Sequence, residues 1–503
     1  MPLRTDPFLC NTMMKSHLSS RQFLESIRLY ARLRRKEGFV PDNYTFATLA
    51  KCCGLNFSTW AAMGVHGHVI KYGFMSNLYV ATAIVDMYGK LGRIASAQVV
   101  FEEMPERSSV SWTALVTGYI RTGDMCTARA IFDKMPEKER DTAAFNVMID
   151  GCVKLGEMAV AKTLFDATPE KNVVSWTTMI DGYCGIGNNK KPHEAVVLFE
   201  KLLDGKFFEP DDVTVVSVLP AIADLGVLDL GDRVYEFAKS KKLDRSANVS
   251  TALVDMYAKC GEVEKSRRVF DGVLKRETCT WNALINGLAI NGCASDALRV
   301  FDEMMRNGFK PDEITMLGVL SACNHGGLVE EGKTYFGKMG VLKITLKIEH
   351  YGCLVDLLGR AGCLEEAEKL IESMPYEANG IILSSLLFAC GYAKDVARAE
   401  KVVEKAISME PCNDGNYVIL RNLYAGERRW RDVERVKKLM VTKGAKKEVG
   451  CSAIEIDGRF LEFIAGENVN PCVEVTRWVL DQLRMHMKVW DPVLDVDCRA
   501  SEA

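Results

Sequence analysis

Residues 109–141 read SVSWTALVTGYIRTGDMCTARAIFDKMPEKERD. Trp112, Leu115, Val116 and Tyr119 stand at i, i+3, i+4 and i+7, the spacing of one helix face. Gly123 predicts the end of that helix, because glycine takes the left-handed backbone of a helix cap at little steric cost. The run TARAIFDKM predicts a second helix with Ala128 and Phe132 four apart on one face, and Met135-Pro136 stops it. The stretch reads as a pair of antiparallel helices.

The same punctuation recurs along the chain. It closes YGKLG at Gly92, YIRTG at Gly123, CVKLG at Gly156, YCGIG at Gly187, YAKCG at Gly261, LAING at Gly292 and LGRAG at Gly362. Gly92 and Gly123, Gly156 and Gly187, and Gly261 and Gly292 are each 31 residues apart. A fixed period of this size predicts one unit copied and stacked as an α-solenoid, where each unit contacts only its neighbours. The Ala-x-x-x-Phe step also returns, at Ala97/Phe101, Ala161/Phe165, Ala195/Phe199 and Ala297/Phe301, with Ser266/Phe270 as a serine version. These residues are read as core packing, as are Trp112, Trp176 and Trp281 at equivalent places.

Aligning these landmarks divides the chain into eleven units: 7–42, 43–77, 78–108, 109–141, 142–172, 173–211, 212–246, 247–277, 278–312, 313–347 and 348–379. A short lead, 1–6, precedes them. Units of about 31 residues end in phrases such as EEMPERS, and units of about 35 end in GFVPD or GFKPD. The unit 173–211 carries the insertion GNNKKPH at its turn.

Bulk properties narrow the function. The 503 residues carry a net charge of −3, so a grip on nucleic acid mainly through phosphates is not expected. Selectivity would have to come from contacts to bases. No apolar run reaches the length of a bilayer span, and the longest candidate, 381–390, contains two serines. The 17 cysteines are scattered, with no C-x-x-C spacing, and read as reduced thiols, with Cys152, Cys184, Cys260 and Cys323 in helical phrases. His66 and His68 are two apart on a helix, point to different faces and read as ordinary histidines. No metal or cofactor is called for. The opening MPLRTD carries neither an apolar signal nor an Arg/Ser-rich leader.

The phrases SWTALVTGYIRTGD, SWTTMIDGYCGIGN, TWNALINGLAINGC and EITMLGVLSACNHGGLVEEG resemble the plant pentatricopeptide repeat family, in its subclass of alternating long and short repeats. IEHYGCLVDLLGRAGCLEEAEKLIESMP is similar to the subclass's last repeat. Residues 380–413 and 414–448 resemble its two E-type degenerate repeats, and 449–503 its E-plus tail. Asp457-Gly458 there predicts a tight hairpin, while Ala453 and Leu461 replace the Trp and His typical of that segment. The resemblance implies an all-α, right-handed solenoid with a short hairpin-bearing tail.

It also implies a function. Members of the subclass choose which cytidines of organelle transcripts become uridines. Their deaminase, where present, is a further DYW domain that needs H-x-E and C-x-x-C arrangements to hold and use zinc. None of the seven histidines begins H-x-E. The chain is therefore expected not to be an enzyme, and to recruit a deaminase-bearing protein or other editing factors in trans through 380–503. Transcript protection, splicing or translation without editing is one alternative, and a protein-binding scaffold another. The resemblance places the protein in the mitochondrion or chloroplast, with the mitochondrion favoured, and a longer chain upstream of Met1 would supply the leader.

In the family the fifth and last residues of each unit select one base. By that resemblance Asn11/Asp42 and Asn282/Asp312 imply uridine, Thr113/Asp141 and Thr177/Asp211 guanine, Asn146/Asn172 a pyrimidine with cytidine favoured, and Thr82/Ser108, more weakly, adenine. Read 5′ to 3′ the implied target is U-n-A-G-Y-G-n-n-U-n-n. Apolar second residues, Phe8, Val110, Val174, Val213 and Ile314, either wedge between bases or pack at the helix start.

Overall fold

The computed structural model describes residues 7–35, 39–185, 190–204, 208–445, 451–456, 459–464 and 478. Gly187, the start of the 187–193 insertion, the lead 1–6, the Asp457-Gly458 turn, His486 and most of the tail 449–503 lie outside them. The chain forms two compact units, residues 1–221 and 222–503.

In the first unit helix pairs follow one another, among them Asn43–Leu55 with Thr59–Lys71, Ser109–Arg121 with Met125–Lys134, and Thr142–Lys154 with Met158–Ala167. First helices stack on first helices, and second helices such as Ile94–Glu102 and Met158–Ala167 pack on both their partner and the next first helix. The second unit repeats the pattern, for example in Thr278–Ile290 with Ala294–Arg306 and in Asp414–Gly426 with Trp430–Thr442. This is the stacked α-solenoid that the glycine period predicts. At its C-terminal side Cys451–Ile456 and Arg459–Ile464 pair antiparallel, with Ile456 opposite Arg459.

The joints between units are aromatic. Phe101 meets Trp112 edge to face at 4.8 Å, Phe165 meets Trp176 at 5.1 Å, and Phe270 meets Trp281 at 4.8 Å. A cation from the linker covers each phenylalanine: Arg107, Lys171 and Arg276. The alanines of the Ala-x-x-x-Phe step are fully buried, so the small residue lets the helices close while the ring fills the joint. Trp281 is fully buried, but Trp112 and Trp176 are only half-buried. Phe309, in the linker of the long unit, packs against Trp281 at 5.6 Å and supplies the extra cover.

Gly123 has φ of 83°, and nothing would meet a Cβ added there, so the backbone conformation alone calls for glycine. The same left-handed turn is taken at Phe57, a place where no glycine marks it (φ 50°). Gly287 serves a different purpose. An added Cβ would lie 2.4 Å from Ala258 Cβ, so its bare backbone sets how closely two first helices approach.

The described cysteines are free thiols. Cys152 and Cys323 are buried, whereas Cys184 and Cys260 are half-buried. Burial pushes the Cys53 thiol up to about 12 and the Cys323 thiol to about 11.

Candidate nucleic-acid interface

Each unit's last residue is the N-cap of the next first helix. Asp42 Oδ1 accepts from the Thr45 amide at 2.8 Å, Asp141 from Ala144 at 2.9 Å, Asn172 from Ser175 at 3.0 Å, Asp211 from Thr214 at 2.8 Å and Asp312 from Thr315 at 2.8 Å. Ser108 caps Ser111 at 3.4 Å. A helix start has orphan N–H groups, and these side chains satisfy one of them. The residue expected from the sequence to help select a base is thus also a helix cap.

The fifth residue comes to that cap from the preceding first helix. Asn11 Nδ2 donates to both Asp42 oxygens at 3.0 Å. Asn282 Nδ2 donates to Asp312 at 3.0 Å, and Asn146 Nδ2 to Asn172 at 3.1 Å. Thr177 reaches Asp211 through an intermediary: its hydroxyl lies 2.7 Å from that of Thr214, which donates to Asp211 at 2.6 Å. Two expected pairs are not joined. Thr113 Oγ1 and Thr82 Oγ1 are buried with no partner among the described residues. The residue that would bridge to Thr113 is Ala144, which has no hydroxyl, and Asp141 instead takes the Ser109 hydroxyl. Next to Thr82, the Ser111 hydroxyl turns back to the Ser108 carbonyl at 2.8 Å.

The bridging position, third in each unit, is absent from the two-residue reading of the sequence. Thr45 donates to the Asn11 carbonyl at 2.7 Å, Thr315 to that of Asn282 at 2.6 Å, and Thr280 lies 2.9 Å from Thr251. A threonine three residues after an Asp cap is a capping-box spacing, and that was the available signal. The arrangement also continues past the eleventh unit, where Ser384 donates to Asn416 at 2.8 Å.

Asp312 feels the convergence most. Burial alone raises its carboxyl, but hydrogen bonds from the Thr315 amide and hydroxyl, the Asn282 amide and the Ile314 amide outweigh it. They hold the group below the usual carboxylate range.

The apolar second residues Phe8, Val110, Val174, Val213 and Ile314 are between 56% and 77% exposed. Tyr44, Tyr79 and Ile381 are at least half exposed as well. In the first unit Val174 and Val213 flank a cavity of about 340 Å³ whose lining includes Thr177 and Asp211. The last turns of several first helices carry a cation held by an aspartate one turn earlier: Lys90 to Asp86 at 2.6 Å, Lys154 to Asp150 at 2.6 Å, Lys259 to Asp255 at 2.8 Å and Arg360 to Asp356 at 3.1 Å.

The described histidines form no cluster of metal ligands. His66 bonds the Tyr88 hydroxyl at 2.9 Å, while His68 meets Tyr30 and Arg34. Among the described residues no group of three His, Cys, Asp or Glu is placed to hold a metal ion, and no helix is long and apolar enough to cross a membrane.

Stacked helix pairs that present a recurring polar pair beside exposed apolar side chains define a helical-repeat protein. Family comparison gives the class its name. The PPR repeat model matches residues 79–109, 110–139, 143–173, 174–207, 249–277 and 349–377, a PPR repeat family model matches 276–325, and the E motif matches 392–455. The chain is 49% identical to pentatricopeptide repeat-containing protein At2g44880 of Arabidopsis thaliana, over 97% of this chain and 92% of that one. The chain belongs to the pentatricopeptide repeat family. It is 42% identical to the Arabidopsis protein ELI1, chloroplastic, over 91% of this chain and 66% of that one. It spans half the length of a third Arabidopsis relative, At1g08070, chloroplastic, at 35% identity. The crystal structure of the pentatricopeptide repeat protein PPR10 from maize has the same fold, with a TM-score of 0.54 at 18% identity over 87% of this chain and 74% of that one.

Proposed function

We propose that the chain binds single-stranded RNA one base per unit and acts as a site-recognition factor for C-to-U conversion in organelle transcripts. The carrying observation is the recurrence of one arrangement, a polar fifth residue hydrogen-bonded to the next helix cap. Exposed apolar side chains lie beside it. A base entering between Val174 and Val213 would stack on two aliphatic side chains and bring its edge to Thr177 and Asp211. Asn11/Asp42, Thr82/Ser108, Thr113/Asp141, Asn146/Asn172, Thr177/Asp211 and Asn282/Asp312 serve as the selecting pairs. In each of the two compact units, the paired lysines and arginines at the ends of first helices offer phosphate contacts without a large net charge.

The deaminase is supplied in trans, through 380–503. The E motif match supports this, and so do Phe388 and Tyr392, exposed and 4.9 Å apart beside Ile419 and Leu423 in a groove of about 340 Å³. Relatives named as chloroplastic support an organelle. Base selection is tested by measuring the affinity of the full chain for U-n-A-G-Y-G-n-n-U-n-n and for a copy with both G positions changed to A. Equal affinities overturn it. Editing is tested by comparing organelle cDNA from plants with and without the gene, where a lost edit is expected and an unchanged set of edits points to a non-editing role.

A further inference from the structure

Asn11 and Asn282 each use both ends of the side-chain amide. The nitrogen donates to the aspartate cap at 3.0 Å, and the carbonyl accepts from a threonine hydroxyl, Thr45 at 2.7 Å or Thr315 at 2.6 Å. Each hydroxyl has a single hydrogen and also lies 2.9 Å from the aspartate Oδ1, so the amide carbonyl is the nearer of its two acceptors. A carboxylate only accepts, so it dictates which end of the amide faces it. The threonine then holds the opposite end. Asn146 differs. Its nitrogen donates to Asn172 Oδ1, an oxygen committed as acceptor because it caps the Ser175 amide. The Ser175 hydroxyl lies on Asn172, 3.0 Å from that oxygen, and does not reach Asn146. Asn146 is 9% exposed, and its Oδ1 has no partner among the described residues.

We propose that Thr45 and Thr315 are positioning residues for base selection: their hydroxyls clamp the asparagine amide so that it offers the base only an N–H. This rests on the base-reading function proposed above. The amide nitrogen carries two hydrogens. One goes to the aspartate, shared between the two Asp42 oxygens in the case of Asn11, and the other is left for the base. The 4-carbonyl of uracil accepts it, whereas the 4-amino group of cytosine is itself a donor. With its carbonyl clamped, the amide is not free to turn its oxygen toward that amino group. Asn146 carries no such clamp, so its unit accommodates both pyrimidines.

The test uses the full chain and four RNAs, the target and copies with C in place of U at the first, the ninth or both positions. The wild type favours U at each. Thr315→Val shrinks the U-over-C ratio at the ninth nucleotide about fivefold, the factor a single neutral hydrogen bond supplies, and leaves the first nucleotide unchanged. Thr45→Val does the reverse. Thr315→Ser, which keeps the hydroxyl, retains the wild-type ratio. A loss of helix capping alone would lower affinity for both RNAs of a pair and leave the ratio in place. An unchanged ratio in both valine variants, or a change at both nucleotides from one substitution, overturns the proposal while base reading stands. A wild type that does not distinguish U from C at either nucleotide overturns base reading and the clamp together.

Discussion

The Asn282 amide donates to the Asp312 carboxylate at 3.0 Å across 30 residues of chain. Oδ1 of Asp312 receives that bond, and the same oxygen accepts the Thr315 amide at the start of the next helix. At this joint one carboxylate both caps a helix and holds the amide that the proposed base reading needs, which ties that position to the register of the fold.

The double duty of Asp312 can be separated by substitution. Asp312→Ala removes cap and amide partner together and is expected to cost about 1 kcal/mol of stability along with affinity for RNA. Asp312→Ser keeps a capping oxygen but is too short to carry the same amide contact. It should retain most of the stability and lose selectivity at the ninth nucleotide. Urea denaturation and RNA titration of both variants check this. A Ser variant that loses both in parallel would contradict it.

Acid should release the same carboxylate. The Asp312 carboxyl is held below its ordinary value in the folded chain. Its contribution is therefore fully present above the unfolded aspartate value, about 3.9, and is lost as pH falls through the lower folded value. The stability difference between wild type and Asp312→Asn is expected to be flat above about pH 5 and to shrink under stronger acid. Denaturation at several pH values measures it, and a difference that grows on acidification would contradict the sign.

Val174 and Val213 stand open to solvent, so truncating them removes little buried surface. Val174→Ala with Val213→Ala should leave the midpoint of unfolding nearly unchanged, within about 0.5 kcal/mol. RNA binding should weaken by roughly tenfold, as expected when stacking surface worth about 1–3 kcal/mol per base is cut back. Thermal melts and filter binding on one preparation give both numbers. A large drop in stability would return these valines to a packing role.

The left-handed turns give a matched pair of stability tests. Gly123→Ala meets no neighbour, so its cost is conformational and should be about 1 kcal/mol. Phe57→Gly, at φ of 50°, removes an unfavourable conformation from a ring that is 75% exposed and should be neutral or stabilising. Denaturation midpoints decide, and a destabilised Phe57→Gly would mean that the ring holds a contact that matters.

Much of the fold was legible because the helix pair is a local problem solved many times. The Trp112 to Tyr119 face and the Gly123 turn can be read within one unit. Phe57 could not be, since no glycine announces its left-handed turn. The selecting pairs were legible only in part. Asn11/Asp42, Asn146/Asn172 and Asn282/Asp312 meet directly, but the hydroxyls of Thr45, Thr214 and Thr315 complete the geometry from a third position. That bond depends on the spacing between two helices some thirty residues apart, which no short window of sequence contains. Thr113 illustrates the converse, because a fitting residue type has no bridge where the next unit supplies Ala144.

The most direct measurement is the affinity of the full chain for U-n-A-G-Y-G-n-n-U-n-n against a copy with both U positions changed to C and both G positions changed to A. The copy is expected to bind about tenfold more weakly, or weaker still, at the same salt, with intermediate losses for single changes. Equal affinity for the two RNAs would contradict base reading by these units.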